Sequence, residues 1–178
     1  MAACSILFAG FGGQGILFSG KIMAYAGLIE NKEVSWLPSY GPEMRGGTAN
    51  CGVCISDEPI GSPLVLEPDV LVVMNGPSYD KFVHTVAPGG KVFLDSSLVE
   101  CAAGGRSDIQ FYGIPAARIS RDEKLEGIAN MIMLGSMLAK TEIVSFESVE
   151  KAIRKIVPPS REHLISENLR AVELGRKQ

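Results

Sequence analysis

The sequence predicts an α/β fold, a three-layer α/β/α sandwich with a mostly parallel sheet. Short apolar runs alternate along the chain with stretches in which apolar residues recur at the helical period, as in repeated strand–helix units. Residues 70–74 are apolar at every position, which is typical of an interior parallel strand covered on both faces. A chain of 178 residues is long enough for one domain, residues 1–178, that buries about two-thirds of its unfolded surface.

The individual elements are predicted from these apolar patterns and from the residues that punctuate them. Apolar runs predict strands at residues 4–9, 34–37, 48–56, 70–74, 91–94 and 109–112. Helical periodicity predicts helices at residues 16–28, 77–84, 127–139, 146–157 and 161–175. Ser145 is the expected N-cap of the fourth helix, and the proline pair at 158–159 ends that helix. The helix at 127–139 has only Asn130 and Ser136 as polar side chains, so we expect it to be buried on nearly all sides.

A glycine turn follows the first predicted strand and precedes the first predicted helix. Gly10, Gly12 and Gly15 have the spacing G-x-G-x-x-G. Between a strand and a helix, such a turn gathers several backbone N–H groups at the amino end of the helix, where the helix dipole is positive. The turn therefore predicts an anion site, and phosphate is its usual ligand.

Two other interpretations of this turn stay open. The first is a nicotinamide-dinucleotide fold, which places an acidic residue near the end of the second strand to bind the ribose hydroxyls. Residues 34–37 lead into residues 38–40 without a carboxylate, and Glu33 lies at the wrong end of the strand. The second interpretation is structural, because glycines also permit a helix and a strand to pack closely.

Composition and charge exclude several functional classes. The net charge of −3 argues against the basic surface that nucleic-acid binding requires. A hydrophobic content of 46% with 21% charged residues is typical of a globular chain. The most apolar stretch, residues 128–139, is shorter than the roughly 20 residues of a membrane span, and no basic leader precedes the first strand. We therefore expect a soluble cytoplasmic protein that binds neither nucleic acid nor membrane.

The four cysteines, Cys4, Cys51, Cys54 and Cys101, are expected to be core thiols. Cys51 and Cys54 have the spacing of a redox or metal pair, but positions three apart on a strand point to opposite faces. Redox pairs normally lie at a helix amino terminus, and iron–sulfur proteins need a closer set of four cysteines. No histidine or carboxylate cluster has the spacing of metal ligands, so we expect no metal site.

A catalytic constellation cannot be assembled from the remaining residues. His84 and His163, the two histidines, fall at a helix end and in the last helix, where neither has an evident catalytic partner. Ser96 and Ser97 follow Asp95 at a strand end, where α/β sites collect, but no base is near them in the sequence. This inventory is more typical of a binding subunit than of a self-sufficient enzyme.

Residues 38–47 form the second functional candidate. Two prolines and three glycines exclude a regular element, and rigid loops of this composition are often functional. Glu43 and Arg45 are two residues apart in it, so they either contact a partner or only make the loop rigid.

Several motifs occur in this chain in the same order as in a known family. They are residues 10–15, 39–47, 60–63, 68–71 and 129–135, and residues 167–171 with Gly175. Together they resemble the γ subunit of 2-oxoacid:ferredoxin oxidoreductases over nearly the whole chain, which implies an α/β/α domain of the γ type. Residues 44–49 are most similar to the 2-oxoglutarate branch. Branched-chain 2-oxoacid and pyruvate enzymes remain alternatives, and the loop lacks the histidine and glutamine usual in indolepyruvate enzymes.

The resemblance implies an enzyme that converts a 2-oxoacid and coenzyme A to an acyl-CoA and CO2 and passes electrons to ferredoxin. Thiamine diphosphate and Mg would belong to a β subunit, and iron–sulfur clusters to the β subunit or a small ferredoxin-like subunit. This chain would bind no cofactor alone, would need α and β subunits, and would have no activity in isolation. A stand-alone dinucleotide-binding oxidoreductase is the alternative from a different class.

The resemblance also implies roles for individual residues. Those expected to contact the phosphates of coenzyme A are Gly12, Gly13, Gln14, Gly15 and Lys21. Single-chain pyruvate enzymes of the family have a similar glycine turn followed by a lysine at the spacing of Lys21. Those expected at a subunit interface near the thiamine site are Tyr40, Glu43, Met44, Arg45, Gly46, Gly47 and Asn130.

Overall fold

The computed structural model describes residues 3–39, 48–100 and 106–178. In these residues six strands form one sheet: β1 (Cys4–Phe11), β2 (Glu33–Ser39), β3 (Thr48–Ser56), β4 (Val70–Val73), β5 (Lys91–Asp95) and β6 (Gln110–Ile114). The α-helices are α1 (Ile16–Ile29), α2 (Gly76–Phe82), α3 (Ala116–Asp122), α4 (Ala129–Thr141), α5 (Phe146–Ile156) and α6 (His163–Arg176). Short 3-10 segments follow α2 at Val83–Thr85 and precede α6 at Pro159–Arg161.

The strand order across the sheet is β2-β3-β1-β4-β5-β6. β1, β4, β5 and β6 are parallel to one another, whereas β3 runs antiparallel to both β1 and β2. The predicted sandwich with a mostly parallel sheet is confirmed. Because side chains alternate in the same way in both strand directions, the sequence pattern could not show that β3 runs against its neighbours.

Alternate residues of the strands build two cores, one on each face of the sheet. Ile6 and Phe8 of β1 point into the larger core, which includes residues of α1 and α3–α6. Leu7 and Ala9 point into the smaller core, which includes Tyr79 of α2. Every residue of β4 is buried, as predicted from its continuous apolar run.

α4 and α6 pack closely at two reciprocal glycines. Gly135 of α4 faces the backbone carbonyl of Val172 in α6, and Gly175 of α6 faces the backbone carbonyl of Ile132 in α4. A Cβ atom at either glycine would overlap the opposing carbonyl group. Residues 130–138 of α4 are all buried, which confirms the predicted all-round burial of this helix. The helix begins two residues later than predicted, because Gly127 has a φ of +80° and precedes it.

The cysteines that the structure describes are free thiols. Cys51 and Cys54 are buried in β3, and Cys4 is partly buried in β1. The Cys51 sulfur donates a hydrogen bond to the carbonyl oxygen of Ile16 at 3.5 Å. Burial raises the pKa of the Cys51 and Cys4 thiols to about 12, so both are protonated at neutral pH. The prediction of core thiols is confirmed for Cys51 and Cys54, and Cys101 lies outside the described residues.

Candidate functional site

The candidate site lies where β1 and β4 end, at the carboxyl edge of the parallel strands. β1 is followed by α1, which packs on the face with the larger core, and β4 is followed by α2, which packs on the opposite face. Two adjacent parallel strands whose connections leave on opposite faces create a crevice between their carboxyl ends, where α/β proteins bind their ligands. Gly12, Gly13, Gln14 and Gly15 lie between β1 and α1 and so form one wall of this crevice.

The glycine turn has the backbone geometry of an anion site. Gly13 and Gly15 have φ angles of +95° and +75°, in the left-handed region that glycine adopts without steric cost. Gly15 is the N-cap of α1, and no side chain caps the first N–H groups of that helix. The first turn of α1 also contains no acidic side chain that would repel an anion. These features leave the positive end of the α1 dipole open to a negatively charged group.

The side chain of Gln14 links the two walls of the crevice. Its Oε1 accepts hydrogen bonds from the Phe11 N–H at 2.7 Å and from Asn75 Nδ2 at 3.3 Å. Its Nε2 donates to the Met74 carbonyl oxygen at 3.0 Å. The Gln14 backbone N–H donates to the Phe11 carbonyl oxygen at 3.2 Å. The contribution of Gln14 therefore lies in holding the turn against the end of β4.

Lys21 lies on α1, nearly two turns beyond Gly15. Its ammonium group is 6.0 Å from the centre of the Tyr25 ring, and Lys155 Nζ of α5 is 5.5 Å from the same centre. About 9 Å of helix axis separates Lys21 from Gly15. Contact with a phosphate in the turn therefore requires the Lys21 side chain to leave Tyr25 and extend towards the amino end of α1.

Asn130 lies in the first turn of α4, and the structure places it directly against the glycine turn. Its Nδ2 donates to the Gly15 carbonyl oxygen at 3.1 Å and to Ser19 Oγ at 3.0 Å. Only 4% of Asn130 is exposed. The family resemblance predicts Asn130 at the subunit interface near the thiamine site and does not predict its contact with the glycine turn. The available sequence signal was an isolated amide at the start of an otherwise apolar helix, which requires a buried hydrogen-bond partner.

Asp95 marks the carboxyl end of β5 and is fully buried. Its carboxylate accepts hydrogen bonds from the backbone N–H groups of Ser97 at 3.0 Å and Ala117 at 2.9 Å. Burial raises the pKa of Asp95, and these hydrogen bonds act in the opposite direction. The carboxylate joins the end of β5 to the start of α3, which is a structural role.

The interface loop predicted from the sequence lies mainly outside the described residues. This applies to Tyr40, Glu43, Met44, Arg45, Gly46 and Gly47. The strands that flank the loop are described: Ser39 pairs with Asn50, and Thr48 pairs with Phe11 at the end of β1. Thr48 therefore lies beside the end of β1, where the glycine turn begins.

Both histidines lie outside the glycine turn in the sequence. Both histidines are exposed, His84 in the 3-10 segment after α2 and His163 at the start of α6. Within residues 3–39, 48–100 and 106–178, no group of three or more His, Cys, Asp or Glu side chains could hold a metal ion. Over the same ranges, none of the helices combines the length and apolar character that a bilayer span needs. What the site offers is a shaped backbone with neutral amide side chains.

The fold is a domain of the α/β class with a crevice at the carboxyl ends of its parallel strands, and comparison with known proteins identifies its family. The family model of pyruvate ferredoxin/flavodoxin oxidoreductase matches residues 5–178. The chain therefore belongs to the pyruvate ferredoxin/flavodoxin oxidoreductase family, and the predicted resemblance is confirmed.

Three relatives show which part of the family the chain resembles. It is 44% identical to the 2-oxoglutarate synthase subunit KorC of Methanocaldococcus jannaschii, over 96% of this chain and 90% of the relative. It is 43% identical to the ketoisovalerate oxidoreductase subunit VorA of Methanothermobacter thermautotrophicus, but spans only 35% of the length of that relative. The crystal structure of a keto/oxoacid ferredoxin oxidoreductase γ subunit from Geobacter sulfurreducens superposes with a TM-score of 0.83 at 32% identity, covering 98% of this chain and 96% of that one. The domain is thus of the γ-subunit type.

Proposed function

We propose that this chain is the γ subunit of a 2-oxoglutarate:ferredoxin oxidoreductase. The complete enzyme would convert 2-oxoglutarate, coenzyme A and oxidised ferredoxin to succinyl-CoA, CO2 and reduced ferredoxin. The KorC relative, matched over nearly its full length, supports this substrate, and residues 44–49 favour it as well. The VorA relative supports a branched-chain 2-oxoacid as the second candidate.

The contribution of this chain to the reaction is the binding of coenzyme A and the assembly of the complex. The observation that carries the proposal is the glycine turn at the β1–β4 crevice, with left-handed Gly13 and Gly15 and an α1 amino terminus that no side chain caps. Within residues 12–15, the backbone N–H groups of Gly12, Gly13 and Gly15 would bind the pyrophosphate of coenzyme A at the positive end of the helix dipole, while the Gln14 N–H is held by the Phe11 carbonyl oxygen. Lys21 would add one charge-assisted contact after leaving Tyr25.

The decarboxylation chemistry would belong to partner subunits. Thiamine diphosphate supplies the carbanion stabilisation that decarboxylation of a 2-oxoacid needs, and iron–sulfur clusters supply the path for electrons. The described residues of this chain offer no set of cluster or metal ligands. We therefore propose that α and β subunits, and a small ferredoxin-like subunit where one is present, hold these groups in a cytoplasmic complex.

The proposal is tested in the complex formed by co-expression with the α and β subunits from the same source. Gly13→Val should raise the KM for coenzyme A at least tenfold, because a β-branched side chain is strained at a φ of +95° and displaces the turn. Gly61→Val is the matched control, since a Cβ at this exposed glycine meets no atom within 4 Å. An unchanged KM for coenzyme A in Gly13→Val would remove coenzyme A from this turn.

The preferred 2-oxoacid and the class of oxidoreductase are tested with the same co-expressed complex and with the isolated chain. We expect the highest kcat/KM with 2-oxoglutarate, compared with 2-oxoisovalerate and pyruvate, and no turnover by the isolated chain. A higher value with 2-oxoisovalerate would assign the chain to the branched-chain enzyme. Titration of the isolated chain with NADH and NADPH distinguishes a γ subunit from a stand-alone dinucleotide-binding oxidoreductase. Only the latter would bind one of these dinucleotides.

A further inference from the structure

The amino ends of α1 and α4 meet at a single buried amide, that of Asn130. Asn130 is separated from Gly15 by most of the chain, yet its Nδ2 lies 3.1 Å from the Gly15 carbonyl oxygen. The same Nδ2 lies 3.0 Å from Ser19 Oγ in the first turn of α1, and Ser19 is itself 2% exposed. Burial of an amide is costly unless its donors are satisfied, so these two bonds fix the rotamer of Asn130.

The contact between Asn130 and Gly15 leaves no room for a side chain at position 15. A Cβ atom on Gly15 would lie 2.5 Å from Asn130 Nδ2. Gly15 is therefore required both by its φ of +75° and by the close approach of Asn130. The glycine and the asparagine form one local unit, although they lie on different helices.

The carbonyl that Asn130 binds belongs to the same peptide group as the N–H of Ile16, the first residue of α1. A peptide group is planar and trans, so its C=O and N–H point in opposite directions. The Gly15 carbonyl also accepts the first helical hydrogen bond, from the Ser19 N–H at 3.0 Å. With two donors on the carbonyl, the Ile16 N–H is held pointing out of the helix towards the crevice, and polarisation of the peptide group makes it a stronger donor.

We propose that Asn130 is a positioning residue that fixes the direction of the Ile16 N–H and thereby tightens the binding of a phosphate group of coenzyme A in the glycine turn. This inference rests on the proposed function, because it names coenzyme A as the ligand. Asn130 acts through the Gly15 peptide group and does not itself contact the ligand.

The test compares Asn130→Leu with Asn168→Leu in the assembled complex. Leucine has the same branching and the same number of side-chain heavy atoms as asparagine but donates no hydrogen bond. Asn168 is the matched control: it is 3% exposed, lies in α6, and its Nδ2 donates to the Leu164 carbonyl oxygen of its own helix at 2.7 Å. Both variants lose a buried amide, but only one of them touches the glycine turn. Should Asn130→Leu fail to fold, Asn130→Asp removes both donated bonds while retaining a polar side chain.

Three readouts are measured: the affinity for coenzyme A by calorimetric titration, the steady-state constants, and amide hydrogen exchange of residues 12–19. Asn130→Leu should lower the affinity for coenzyme A and raise the KM for coenzyme A by about three- to tenfold, which corresponds to the loss of one hydrogen bond. The kcat and the KM for the 2-oxoacid should change less than about twofold at saturating coenzyme A, and exchange in residues 12–19 should accelerate. Asn168→Leu should change none of these.

The outcomes separate the inference from the proposed function. If Gly13→Val lowers the affinity for coenzyme A but Asn130→Leu and Asn130→Asp do not, the positioning role of Asn130 is overturned while the coenzyme A site stands. If Asn168→Leu lowers the affinity for coenzyme A as much as Asn130→Leu does, the effect is a general loss of protein stability and the positioning role is again overturned. If neither Gly13→Val nor Asn130→Leu changes the affinity, the coenzyme A site itself is wrong.

Discussion

Replacing Gly135 with alanine should destabilise the chain, although alanine is the better helix former. The Cβ of Gly135→Ala would overlap the Val172 carbonyl group of α6, so α4 and α6 must move apart. Both residues lie in helices, and this backbone group cannot rotate away as the end of a flexible side chain could. The reciprocal change, Gly175→Ala, meets the Ile132 carbonyl group in the same way.

The expected magnitude follows from two opposing terms. Alanine in place of glycine in a helix interior stabilises by about 1 kcal/mol. Overpacking a close contact costs about 1–3 kcal/mol, and more where the opposing atom is backbone. Separation of the helices also loosens the contacts of Val172 and Ile132, which are 5% and 0% exposed. We expect a net loss of about 2 kcal/mol for Gly135→Ala, which lowers Tm by about 4–8 °C in a domain of this size.

Thermal and urea unfolding of the full chain measure this prediction. Gly61→Ala is the control: position 61 is exposed and open, so the expected change is within about 0.5 kcal/mol. The double variant at positions 135 and 175 should cost less than the sum of the two single variants, because the first substitution already separates the helices. A Gly135→Ala chain as stable as the natural chain, or more stable, would refute the close approach of α4 and α6.

Three further predictions concern the site and its surroundings. Arg45→Ala should reduce co-purification with the α and β subunits or lower turnover of the complex, and full retention of both would contradict the interface role of residues 38–47. Lys21→Ala should raise the KM for coenzyme A about tenfold, as expected for one charge-assisted contact, and leave kcat unchanged; Lys155→Ala, which removes the other cation near Tyr25, is the matched control and should have no such effect. The raised pKa of Asp95 means that the folded state binds a proton more tightly than the unfolded state, so this residue adds stability as the pH falls. Relative to Asp95→Asn, the natural chain should gain stability as the pH is lowered from 7 towards the ordinary aspartate pKa of 3.8; a relative loss would contradict the effect of burial on Asp95.

The features of this fold that could be predicted from the sequence are those that depend on local pattern. The continuous apolar run of β4 and the nearly all-apolar helix α4 were both interpreted correctly, since the environment of each is recorded in its own residues. The glycine turn was predicted for the same reason, because left-handed backbone angles require particular residues at particular positions.

The features that could not be predicted depend on partners distant in the sequence. The direction of β3 is set by its pairing with β1 and β2, and the contact of Asn130 with Gly15 joins two helices that no local pattern connects. In these cases the residue type could be interpreted from the sequence, but the residue that it contacts could not be predicted.

The electrostatics of the crevice give a physical reason why such a chain would work only within a complex. The side chains that shape it, those of Gln14, Asn75 and Asn130, are neutral amides, and the amino end of α1 supplies the equivalent of only about half a positive charge. Coenzyme A carries several negative charges on its phosphates, whereas this chain has a net charge of −3. The cation that the proposed function draws from this chain is Lys21, which lies near the Tyr25 ring. Backbone N–H groups of the glycine turn fit the shape of a pyrophosphate but do not neutralise its charge. Under the proposed function, the remaining positive charge would therefore come from the partner subunits.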